Sequence, residues 1–215
     1  MKIAPLILLA LVAGPLLRLL LWLLMRAGLR RILAPWIGKV ALERQPDRIT
    51  LAPVAGTPWR EDPESAALFD PLLARGFTPA GSFTIGEFGG MPVNFLVHEA
   101  HALVAALYAH PQAGLTLDVA TKFTDGESYT VSNAIRGGEL DPRPGHPVIR
   151  MPRASAVALL ARALRERPDK PRVPVPPAGA AGLFADAYAE GIAWRKRRGV
   201  RVHEVAAVAR AGGAS

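Results

Sequence analysis

The chain has 215 residues, half of them hydrophobic and a fifth charged, which suits one membrane segment plus about one domain with its own core. Its net charge of +8 gathers at the two ends: residues 1–39 hold six bases and no acid, and from Arg195 onward six bases face Glu204 alone. A nucleic-acid surface needs positive charge spread over the folded body, so no nucleic-acid partner is expected, and the absence of cysteine excludes disulfides, thiolate catalysis and cysteine-ligated metals.

Ile3 to Met25 is apolar but for Arg18. As a helix it reaches about 34 Å, enough to cross a hydrocarbon core of about 30 Å. Arg18 lies past the midpoint, where its side chain can snorkel, and the many leucines outweigh its insertion cost of about 2.5 to 3.5 kcal/mol. Pro15 predicts a bend. The apolar stretch is too long for a cleaved signal peptide, and no small-residue cleavage site ends it. Arg26, Arg30, Arg31 and Lys39 follow the span and only Lys2 precedes it, which predicts a single-pass protein with its soluble domain on the cytoplasmic side. Residues 1–39 are therefore read as transmembrane helix and basic flank, and the bilayer is the first expected partner.

Residues 40–63 read as a proline-punctuated connector with a short strand at 48–52. A helix is expected over 64–75, its apolar face built from Ala67, Leu68, Pro71, Leu72 and Leu73, with Gly76 as its stop. From Gly81 the period changes to two. Strands are predicted at 82–88 and 92–98 about a Gly89-Gly90 turn, and at 115–123 and 127–133 about Asp125-Gly126, the strongest hairpin signal in the chain. Residues 101–110 are rich in alanine, yet a strand there gives both hairpins a neighbour to pair with.

A loop rich in proline and glycine runs from Gly137 to Pro152. Ser155 caps a helix predicted to 167, with a Val157, Leu160 and Leu164 stripe. Residues 168–181 read as a proline-rich spacer, and 182–215 as a C-terminal helical segment with Phe184, Ala187, Tyr188 and Ile192 on one side and a basic cluster at its end. The expected fold is α+β: an antiparallel meander of about five strands in a 64–167 domain, packed against helices.

Chemistry-bearing patterns are sparse. His98-Glu99-Ala100-His101 is one residue short of the H-E-x-x-H zinc-peptidase spacing, which sets both imidazoles on one helical face. In a turn these rings can converge, with His110 or His146 as a third ligand. There is no nucleophile elbow, no phosphate loop and no dinucleotide fingerprint, so no cofactor is implied. Asp118 alternates with Leu117 and Val119 and is expected to face water. Asn133, Arg136, Asp141, Arg143 and His146 gather in the stiffened loop after the best hairpin, where Arg136 and Arg143 suit recognition of an anionic group and an Asp141–Arg143 pair would staple the loop. These features describe a membrane-anchored, non-catalytic interaction or ligand-sensing module, with a membrane protein as a second partner class. The alternative is a membrane-bound metal-dependent hydrolase using His98, Glu99 and His101.

Overall fold

The computed structural model describes residue 36, residues 38–110 and residues 114–212. The predicted span at 3–25 and the flank up to residue 35 lie outside the described residues. Among those described, no helix is long and apolar enough to cross a membrane.

In chain order the elements are β1 (Leu51–Val54), α1 (Pro63–Leu73), β2 (Thr78–Ile85), β3 (Met91–His98), β4 (Leu103–His110), β5 (Gly114–Lys122), β6 (Ser128–Ser132), β7 (Val148–Arg150), α2 (Ala156–Glu166), α3 (Ala180–Arg198) and α4 (Val202–Gly212). The strands form one sheet in the order of the sequence, antiparallel throughout except for the parallel pair β6–β7. The fold class is α+β, as expected, with seven strands where about five were predicted. The two extra strands are the short edges. β1 begins three residues later than the strand expected in the connector, and β7 is three residues inside the proline-rich loop, too short to leave a period.

Local chemistry sets most element ends. Asp62 caps α1 by accepting from Glu64 N at 3.3 Å and Ser65 N at 3.1 Å, and Pro63 takes the first turn, where a missing N–H costs nothing. Pro71 stands inside that helix and forgoes one backbone bond. Ser155 Oγ accepts from Ala158 N at 3.3 Å at the start of α2. Asp125-Gly126 turns the β5–β6 hairpin, and residues 103–110 form a strand rather than a helix.

Helices cover both faces of the sheet, not one. On the first face Leu96, Leu103, Leu107, Leu117 and Val119 meet Phe69 and Leu72 of α1 and Leu159 and Leu160 of α2. The buried stripe of α2 is Ala156, Leu159, Leu160 and Ala163, so the helix is rotated from the predicted stripe and Leu164 is 38% exposed. On the second face Ile85, Val93, Phe95, Val97, Val104 and Ala106 meet Ala180, Phe184 and Tyr188 of α3. Val93 through Val97 are all buried, the mark of a strand covered on both sides. The proline-rich stretch carries the chain from one layer to the other. It runs along the end of the sheet, where Thr124 N donates to Pro171 O at 3.0 Å and Val173 N to Lys122 O at 2.9 Å, and Val175 enters the second core.

Candidate functional site

The second face of the sheet changes character from one edge to the other. Over β2, β3 and most of β4 it is apolar and filled by Phe184 and Tyr188. Toward β7 the outward alternation of β5 and β6 places Lys122, Ser128, Thr130 and Ser132 on this face, with Arg150 of β7 beside Ser132. Above them α3 carries the small residues Ala187 and Gly191, which leave a gap where bulky side chains would close it. A cleft of about 320 Å³ results, floored by the strands, walled on one side by α3 and on the other by the 137–146 loop. That volume is the size of a small-ligand site.

The loop is pinned at both ends. Ser128 N donates to Gly145 O and Thr130 N to Pro147 O, which lays 145–147 along β6. Gly145 adopts φ +77°, and a side chain there would meet Glu127 at 2.9 Å, so the position needs glycine twice over. At the other end Arg150 reaches the carbonyls of Arg136, at 2.7 Å, and of Gly137. Gly137, at φ +100°, leaves room for that guanidinium.

Four cations line the cleft: Lys122, Arg143, Arg150 and Arg195. Glu190 of α3 serves two of them, at 3.2 Å from Lys122 Nζ and 3.1 Å from Arg143 Nη1. Burial raises the Glu190 pKa, and the bonds from Arg143 and Lys122 more than reverse that, leaving it low and the carboxylate ionised. Arg150 is spent on carbonyls. Arg195 forms no ion pair among the described residues; burial and the neighbouring Arg198 guanidinium push its pKa down, so the cationic form is held against its surroundings. His146 Nδ1 lies 2.9 Å from Ser128 Oγ, and burial and the Arg143 charge lower its pKa, which favours the neutral ring. Among the described residues no carboxylate hydrogen-bonds that ring, so the Ser128–His146 pair lacks the orienting acid of a nucleophilic relay.

Of the residues singled out in the sequence, Asp141, Arg143 and His146 line this cleft. The expected Asp141–Arg143 staple is not formed. Arg143 turns to Glu190, and Asp141 instead accepts from Arg198 at 2.9 Å, Arg201 at 3.2 Å and His203 at 2.8 Å. Arg136 offers its carbonyl to Arg150, and Asn133 is buried with Oδ1 accepting from Leu117 N at 2.7 Å, a bond that extends the sheet. Sequence reading missed Lys122, Arg150, Glu190 and Arg195. Arg195 was absorbed into a basic helix ending, and the usable signal was the Gly137-Gly138 pair, which marks a close approach by another group.

The histidine cluster is elsewhere. Glu99–His101 is a 3₁₀ turn between β3 and β4, and the rings of His98 and His101 lie 4.5 Å apart, centroid to centroid. Glu99 is exposed. Burial, His98 and Arg167 together lower the His101 pKa, and Arg167 Nη1 donates to His101 O at 2.7 Å, so a cation already stands beside the pair. Among the described residues no group of three or more His, Asp or Glu is arranged to hold a metal ion. His146 lies in the cleft with Ser128 and does not join the other two; the side chain of His110 is outside the described part.

Asp118, expected to face water, is turned instead toward the layer beneath α3. Tyr108 OH donates to its Oδ2 at 2.9 Å, and its Oδ1 is buried without a hydrogen-bond partner. The reason is the second covering layer, formed by a helix some sixty residues further along the chain. No family model matches this chain, and neither a curated protein nor a solved structure matches it.

Proposed function

We propose that this chain is a single-pass, membrane-tethered, non-catalytic module that binds a small anionic ligand in the cleft between β5–β7 and α3. The observation that carries the reading is Arg195: a guanidinium in a partly desolvated cleft, with no ion-pair partner among the described residues, beside Arg198 and Arg150, whose repulsion the Glu204 carboxylate offsets only in part. An anionic group there would relieve like-charge repulsion and accept paired N–H donors, which arginine presents in a fixed fork. Arg143 and Lys122 are poised to share it, since each now shares one carboxylate. The tether is the apolar run Ile3–Met25, with the basic flank setting the domain on the cytoplasmic side. Tethering raises the local concentration of the cleft near other membrane components, which suits a sensor that reports to a membrane-protein partner.

Titration calorimetry on the detergent-solubilised full chain, with pyrophosphate and citrate as probes, tests the ligand class. At least one of them binds, and Arg195→Ala weakens that binding by about tenfold to a hundredfold, the range of a lost charge-assisted hydrogen bond of about 1.5 to 3 kcal/mol. Equal binding by the variant, or no binding of either anion, would overturn the proposal.

A further inference from the structure

Glu190 stands between two hollows. On one side it lines the cationic cleft, and on the other it lines a more open groove of about 520 Å³ along α3. Arg143 is the other residue common to both, so the Glu190–Arg143 pair, at 3.1 Å, is the partition. The groove carries two cations, Arg48 and Arg197, neither of which forms an ion pair among the described residues. Its acids are Asp186 and Asp47, the second held by Lys196 at 2.7 Å.

The partition is an ionised carboxylate set where a ligand's anion belongs. Glu190 presents one oxygen to Lys122 Nζ at 3.2 Å and the other to Arg143 Nη1. Two oxygens shared by two cations is the arrangement by which a carboxylate or phosphate ligand is recognised. Three features make this carboxylate replaceable. The Glu190 side chain is 40% exposed and that of Arg143 29%, so each charge keeps part of its hydration and the bonds are weak. The neighbours of Glu190 on α3 are small, with Ala187 and Gly191 toward the cleft and Ala189 and Ala193 toward the groove, and give the side chain no steric hold. Other cations are at hand in the groove, where Arg197 lies seven residues on, two turns further along the same helix face.

We infer that Glu190 is a built-in competitor for the ligand: with no ligand bound its carboxylate fills the anion position between Lys122 and Arg143, and an incoming oxyanion takes that position and sends Glu190 outward to Arg48 and Arg197. The inference rests on the anionic-ligand reading above and adds to it a second anchoring point beside Arg195 and a threshold for binding. A group that displaces Glu190 must accept from both cations at once, as a carboxylate or phosphate does. The plain alternative is a strut that ties α3 to β5 and the loop, and it predicts the opposite effect on affinity, because removing a strut loosens the cleft.

Titration calorimetry of pyrophosphate and citrate into the detergent-solubilised full chain compares the wild type with Glu190→Gln, which keeps the shape of the side chain and removes its charge. Affinity for the anion that binds rises by about tenfold, the effect of two half-exposed ion pairs that no longer have to be broken. Glu190→Ala, which removes the side chain altogether, gives a gain of the same sign. Asp186→Asn is the control, since it removes an acid of α3 one turn away that lines the groove and bridges no cleft cation, and it changes the affinity little. Replacing Arg48 and Arg197 together by glutamine weakens binding more in the wild type than in the Glu190→Gln background, the coupling that an outward position for Glu190 requires. Equal losses in the two backgrounds overturn that outward position. A gain in Asp186→Asn equal to that in Glu190→Gln assigns the effect to the general field of the helix and overturns the competitor, and so does affinity in both Glu190 variants equal to or below that of the wild type. Each of these results leaves the anion site standing. No binding of either anion to any of these proteins overturns the anion site, and the competitor with it.

Discussion

Asp118 stands opposite Ala106 on one side and Ser132 on the other in the ladder of β5, with Tyr108 donating to one of its oxygens and nothing to the other. Burial raises its pKa, and the neighbouring Ser132 and Tyr108 hydroxyls offset only part of that rise. A carboxyl whose pKa is higher folded than unfolded contributes its stability below the unfolded pKa and loses it as the pH rises through the folded one. At neutral pH the ionised Asp118 is therefore a cost. Asp118→Asn keeps an acceptor for Tyr108 and removes the charge, so it stabilises the domain by about 1 kcal/mol at neutral pH. The gain disappears in acid, where the wild-type carboxyl is protonated. Urea unfolding at neutral and acid pH checks this; a gain of equal size at both would mean that charge burial is not its origin. Alternation along β5 predicted the side of the sheet on which Asp118 lies but could not predict the cover, because the helix that covers it is remote in the sequence.

At the scale of elements, what was legible is what is decided locally. The Asp125-Gly126 hairpin, the Ser155 cap and the order of the five long strands each depend on residues a few positions apart. Contacts that shape the cleft do not. Asp141 meets Arg198, Arg201 and His203 at separations of 57, 60 and 62 residues, so no window on the sequence could have told that its partner is the α3–α4 corner rather than Arg143. Glu204 completes that corner. Fully buried, it accepts from Asp141 N at 2.8 Å, Arg201 N at 2.7 Å and the Arg198 guanidinium, and so joins the loop wall of the cleft to the end of α3 and the start of α4. Removing one partner of a buried charge pair is far more damaging than removing an exposed one. Glu204→Gln is expected to cost about 3 kcal/mol and to lower the thermal midpoint, while Asp141→Asn, itself half-buried and with two of its three partners, Arg201 and His203, exposed, costs less. A loss for Asp141→Asn equal to that for Glu204→Gln would place the strength of the corner in the surface ion pairs instead.

For the whole molecule the two ends of the described chain lie together: the 38–43 helix touches α4, and α4 is joined through Glu204 and Asp141 to the wall of the cleft. If Ile3–Met25 spans the bilayer, the domain and its C-terminus share one side, and charge decides which. Arg26, Arg30, Arg31 and Lys39 flank the proposed span on the domain side against Lys2 on the other, an imbalance that predicts a cytoplasmic domain. A green fluorescent reporter fused after Ser215 is therefore fluorescent in a bacterial host, and an alkaline phosphatase fused at the same point is inactive. Replacing Arg26, Arg30 and Arg31 by glutamine leaves Lys39 against Lys2 and removes the imbalance, since the rule counts bases and is nearly blind to acids. Phosphatase activity then rises in a fraction of the molecules. Active phosphatase in the unmodified fusion would put the cleft on the outer side, where it meets a different pool of anions, and the ligand search would move there with it.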